Sequence, residues 1–182
     1  MADSAYLKAF RDYIREEPSN NDLPTMEQEF YGESDRAVAL LQGAALGIFL
    51  QAAILKKMRT NLTTEDEKKL FEGNGPISTF SARILIGFAL NAFGKKTRHD
   101  LDLIRELRNA FAHVRKPMKF DTPQVSDMCS GLFIPDMNGL AMHPKSFAGG
   151  EPNLSDMNNP RSRYLTACHT IAFNLFHSRI LP

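Results

Sequence analysis

The sequence predicts an all-α fold, a single-domain helical bundle with one long irregular excursion before its last helix. Three observations support this. Apolar residues recur at helical spacing through most of the chain, capping residues and glycines punctuate those stretches, and no alternating run extends beyond a few residues. At 182 residues with 43% hydrophobic and 24% charged side chains, the chain is long enough for one core and short for two.

The elements follow in order. Tyr6, Phe10, Tyr13 and Ile14 take the i, i+4, i+7, i+8 spacing of a first amphipathic helix, which Pro18 and a run of Ser, Asn and Asp terminate. Ser34 is placed to cap a long second helix that ends near Met58 in a basic turn of Lys56, Lys57 and Arg59. Its centre, Ala37 to Leu55, is dense in Ala, Leu, Ile and Phe. Gln42, Gln51, Gly43 and Gly47 dilute it, so a buried central helix is expected rather than a membrane span.

Thr64-Glu-Asp-Glu67 is a capping box for a short helix stopping at Gly73, and Gly73-Asn-Gly-Pro76 forms a sharp turn. Ser78 or Thr79 then opens a helix through Phe93, closed by Gly94. Thr97 with Asp100 opens the next one, which Pro117 limits. Beyond Phe120-Asp-Thr-Pro123 the pattern weakens. Residues 132–158 read as a long loop rich in Gly and Pro, and 159–180 as a C-terminal helix beginning at Asn159-Pro160 with Tyr164, Leu165, Cys168, Ile171, Ala172, Leu175 and Phe176 inward.

Several chemistries find no support in the pattern. Cys129 and Cys168 have the spacing of neither a zinc site nor a disulfide framework and read as structural thiols in a reducing compartment. The histidines show no ligand spacing with carboxylates, so no metal and no cofactor is expected. Gly73-x-Gly-Pro lacks the Lys-[Ser/Thr] ending and preceding strand of a phosphate loop. No helix-turn-helix with a basic recognition helix is evident. The N-terminal residues lack the apolar run of a signal peptide, and a cytoplasmic location without a membrane is expected.

Two motifs carry a resemblance. Leu70-Phe-Glu-Gly-Asn-Gly-Pro-Ile-Ser-Thr-Phe-Ser-Ala-Arg83 resembles the turn and helix start of the mannitol operon repressor (MltR-like) family. Asp100-Leu-Asp-Leu-Ile-Arg-Glu-Leu-Arg-Asn-Ala-Phe-Ala-His113, followed by Phe120-Asp-x-Pro123, resembles that family's acidic-aliphatic helix ending in Arg-x4-His. The resemblance covers residues 34–128. It implies a repressor-type transcriptional regulator acting through protein or nucleic-acid contacts, RNA or DNA, without its own helix-turn-helix.

The same Arg108-Asn-Ala-Phe-Ala-His113 core is similar to the signature of HEPN domains, many of them metal-independent endoribonucleases. That likeness implies Arg108 as phosphate clamp, Asn109 as orienting residue and His113 as general acid/base. Where HEPN toxins silenced by adenylylation carry a Tyr, two places after the His, this chain has Arg115.

Physical chemistry limits the motif. At about 100° per residue, Arg108 and His113 lie roughly 140° apart on one helix, so they converge only in a distorted end or across a dimer axis. A homodimer is therefore expected. The stripe Leu103, Ile104, Leu107, Ala110, Phe111 and Val114 should face the core, with Arg108 on its flank and Asn109 and His113 away from it. Imidazole is a proton shuttle near neutral pH and guanidinium a forked phosphate clamp. The plainer alternative has Asn109 and His113 bracing the helix end. Between Lys95 and Lys119 eight Lys/Arg stand against three acids, although the whole chain carries only +1. Arg105, Arg115, Lys116 and Lys119 are thus candidate nucleic-acid contacts.

Overall fold

The computed structural model describes residues 33–58, 62–137 and 156–177. The expected helix around Tyr6–Ile14 and most of the 132–158 excursion lie outside the described residues. Among the described residues six α-helices run in order: α1 (Asp35–Lys57), α2 (Thr64–Phe71), α3 (Phe80–Ala89), α4 (Lys95–His113), α5 (Pro123–Ser130) and α6 (Pro160–Phe176), with a 3₁₀ turn at Ile134–Asp136. No strand occurs among the described residues, so the chain is all-helical there.

The starts are set by short polar side chains. The Ser34 hydroxyl accepts from the Ala37 N–H at 3.2 Å, that of Thr79 from Ala82 at 3.1 Å, and the Asn159 carbonyl oxygen from Ser162 at 3.1 Å. The α2 box is displaced by one residue from the sequence expectation: Thr63 is the cap, its hydroxyl accepts from Asp66, and the Asp66 carboxylate accepts from the Thr63 N–H. Either threonine satisfies the pattern with an acid three residues on, so composition alone could not choose.

A second correction concerns α4. Gly94 is its N-cap and supplies no side-chain bond, while Thr97 and Asp100 are buried within the helix. The α3 helix also ends at Ala89, before Phe93. There Asn91 adopts a positive φ of 56° and starts the turn into α4. Helix α5 was not expected; its Pro123 sits at N1, which suits a ring without an N–H.

Helix α1 is the centre of the bundle and packs against α6, α4 and α3. One core joins Leu46 and Leu50 of α1, Ile104, Leu107 and Phe111 of α4, and Leu165 and Ile171 of α6. At its middle Phe120 stacks at 5.2 Å from Phe111 and 5.0 Å from Tyr164, tilted pairs each worth about 0.5–1.5 kcal/mol beyond simple burial. Tyr164 buries its hydroxyl by donating to the Ala39 carbonyl at 3.1 Å, and burial pushes its pKa up. A smaller cluster of Ile54, Phe71 and Ile77 seats α2 on the end of α1.

Arg83 organises the Gly-Asn-Gly-Pro turn. Its guanidinium donates to the carbonyls of Ile77 (3.1 Å), Gly47 (2.8 Å) and Phe71 (3.1 Å), tying the turn to α1 and α2. Gly73 adopts φ +57°, and a Cβ at Gly75 would lie 2.5 Å from the Leu70 oxygen, so neither position accommodates a side chain without distortion. The motif is therefore a rigid corner.

Candidate functional site

Helix α4 carries the motif, and its buried face explains where each motif residue points. Thr97, Asp100, Leu101, Ile104, Leu107 and Phe111 form that face. Leu103 packs against the core only partly, and Ala110 is exposed instead of lying on the stripe, because the face is centred on Leu107 and Phe111.

Arg108 lies at the edge facing α1. Its stem crosses Gly43 so closely that a Cβ there would sit 2.7 Å from Arg108 Cδ. Its Nε is buried with no hydrogen-bond partner, and the guanidinium makes no ion pair among the described residues. Asn109 is partly exposed. His113 is exposed, the last residue of the helix.

In the alternative reading Asn109 and His113 brace the helix end; neither side chain makes a hydrogen bond among the described residues. Arg36, on α1, donates to the Val114 carbonyl at 3.1 Å and so satisfies a terminal acceptor of α4. Within one chain the α4 backbone is regular through His113, so Arg108 and His113 keep their separate faces.

The surrounding cations divide into two groups. Arg105 pairs with Glu106 at 2.6 Å and approaches Asp102 at 3.9 Å, and Arg98 lies over the Phe88 ring at 4.7 Å with Asp102 at 4.0 Å. Their charge is offset locally. Arg115, Lys116 and Lys119 are exposed and form no ion pair among the described residues. The unbalanced positive charge therefore gathers at the C-terminal end of α4.

Sequence reasoning missed the polar framework that holds these elements. Asp35 accepts from the Phe120 N–H at 2.8 Å and from Arg161, which fixes the loop after α4 to the start of α1. Asp100, fully buried, accepts from the N–H groups of Phe133 (2.9 Å) and Ile134 (2.8 Å), with His99 Nδ1 at 3.2 Å. Arg163 donates to the carbonyls of Cys129 (3.0 Å) and Leu132 (2.7 Å) and pairs with Asp136 at 2.7 Å. That hydrogen bond lowers the Asp136 pKa and raises that of Arg163. One signal was available: Asp100 and Arg163 both lie in phase with apolar stripes.

The thiols are buried and free; burial raises Cys129 to about 12 and Cys168 further, so both stay protonated and unreactive. Among the described residues no group of His, Cys, Asp and Glu could hold a metal ion.

His169 gives a pH prediction. On α6, its Nε2 lies 3.1 Å from the buried Gln42 Nε2, and burial pushes its pKa down from 6.5 to about 4. The folded value is the lower one, so the unfolded chain binds a proton that the folded chain refuses. The neutral ring's contribution is intact above pH 6.5 and is lost as pH falls toward 4, amounting to about 2 kcal/mol at pH 5. Urea titrations at pH 7 and pH 5 should show this loss in the wild type and a flatter response in His169→Gln. Equal pH responses in the two proteins would refute it.

No family model, no curated protein and no solved structure matches this chain.

Proposed function

We propose that the protein is a regulator of the mannitol operon repressor type, acting through contacts with a polyanion or a protein partner and not through a base-reading helix of its own. The observation that carries this reading is the set of cations at the end of α4 that form no ion pair among the described residues. Arg108 is pinned by its stem on Gly43 yet its buried Nε has no hydrogen-bond partner among the described residues, and Arg115, Lys116 and Lys119 extend the same charge into solvent. Such a surface attracts phosphate backbones without distinguishing sequences. The side chains that α3 exposes, Ser81, Leu85 and Ala89, offer little to read a base edge, since Arg83 is turned inward on backbone carbonyls.

A second reading has its own support. His113 and Asn109 make no hydrogen bond among the described residues and remain accessible, as a general acid/base and its orienting neighbour in a HEPN-type endoribonuclease would be. Incubation with labelled single-stranded RNA in the presence of a chelator separates the two. The regulator is expected to leave RNA intact and to bind duplexes weakly, with affinity falling steeply as salt rises; Lys116→Ala should reduce the salt slope by about one. Chelator-resistant cleavage lost by about 10²–10⁴-fold in His113→Ala would replace this reading by the enzymatic one. Tight, base-specific duplex binding would refute both.

A further inference from the structure

The Arg-x4-His geometry leads to the expectation of pairing through α4; a second surface, an exposed apolar face, lies on α1. Between Arg36 and Lys56 this helix has no charged side chain, and of its two glutamines Gln42 is buried against His169. One face packs on α3, α4 and α6. The opposite face presents Leu41, Ala44, Ala45, Ile48, Ala52 and Leu55, with Leu41 44% and Ile48 58% exposed. A stripe about 20 Å long on a helix of 23 residues thus reaches solvent, bordered by the partly exposed Gln51 and closed at its far end by Leu55, which also packs against the Ile54, Phe71 and Ile77 cluster.

Its spacing identifies what fits. Leu41, Ala45, Ile48, Ala52 and Leu55 follow the 4-3-4-3 repeat of a helix-pairing seam, and the large and small residues alternate strictly. In a parallel pair in register, large side chains would meet large and alanines meet alanines. Run antiparallel, Leu41 lies opposite the partner copy's Ala52 and Ile48 opposite its Ala45, so each large side chain fills the space above an alanine.

The ends agree with that direction. Glu33 stands just before α1 and Lys57 at its close, so antiparallel copies bring these opposite charges toward one another and oppose the helix dipoles, while Asp35 stays on Arg161 and Lys56 on the Phe176 carbonyl. Glu33 and Lys57 form no ion pair among the described residues and are free to do so. By length and composition α1 also meets the criteria for a membrane span. Half of that span is nevertheless buried inside the bundle, and alternating alanines suit a close-packed helix better than lipid chains.

We propose that a second copy of this chain docks on the outer face of α1, antiparallel, through the Leu41–Leu55 seam. The assignment is independent of the regulatory reading. Sedimentation of the full chain should give twice its 20.4 kDa mass at micromolar concentration. Ile48→Glu should raise the dimer dissociation constant by at least about a hundredfold, because it places an unpaired carboxylate in the seam. Its helical circular dichroism should stay unchanged, since Ile48 is exposed. Ala45→Cys, which keeps the seam intact and covers the case of a poorly folded charge variant, should cross-link to its own copy with a short bismaleimide. Lys57→Cys should not, because antiparallel copies hold those positions about 30 Å apart. A wild-type monomer would overturn the proposal, whether it floats with phosphatidylglycerol vesicles or its α1 face is shielded by residues 1–32. A dimer that survives both Ile48→Glu and Leu41→Glu, or that cross-links through Lys57→Cys, would overturn it equally.

Discussion

Arg163→Met is expected to lower the unfolding free energy by about 3–5 kcal/mol, a fall in melting temperature of roughly 10 °C or more for a chain of this size. The cost does not come mainly from the ion pair. Asp136 has a side chain 60% exposed and recovers water when its partner is lost. It comes from the carbonyls of Cys129 and Leu132, which Arg163 satisfies at 3.0 and 2.7 Å in buried surroundings; methionine leaves the Leu132 carbonyl without a donor and the Cys129 carbonyl with backbone donors alone. Each orphaned acceptor costs about 1–3 kcal/mol. Methionine retains most of the aliphatic stem, so packing changes little. The control is Asp136→Asn, expected to cost under about 1 kcal/mol. Equal losses in the two variants by chemical denaturation would show that the pair, and not the carbonyl cradle, holds α6 to α5.

Asp100→Asn should cost about 2–4 kcal/mol although it preserves shape. The carboxylate gives one oxygen to each of two backbone donors, those of Phe133 and Ile134. An amide has a single oxygen, so its NH₂ must face one of those N–H groups and leave buried donors opposed. The consequence is local before it is global: the Phe133 and Ile134 amides should lose hydrogen-exchange protection while those of α1 change less. Unaltered protection at Phe133 and Ile134 would disprove the role assigned to Asp100.

These two residues also mark where sequence reading reached its limit. Helix positions were legible wherever caps and periodicity coincided, as at Ser34, Thr79 and Asn159, because a cap satisfies donors within three residues of itself. Residues 123–130 were not, since an eight-residue helix offers barely two turns of periodicity and α5 buries only Val125 and Cys129. The Arg-x4-His motif was visible as a pattern, as was the divergence of Arg108 from His113 around the helix. Its support was invisible: Gly43 beneath Arg108 is 65 positions away in sequence, and Arg36 meets Val114 across 78. Residues such as Thr97 and Asp100 misled because a polar side chain near a helix start reads as a cap. Here tertiary partners had claimed it.

The cradle around Arg163 also couples two parts of the chain that residues 138–155 separate. One guanidinium holds Asp136 on one side of them and the Met157 carbonyl, at 3.4 Å, on the other. Both flanks are thus anchored to one side chain of α6, so the Ile134–Asp136 turn and the start of α6 loosen as a unit and not separately.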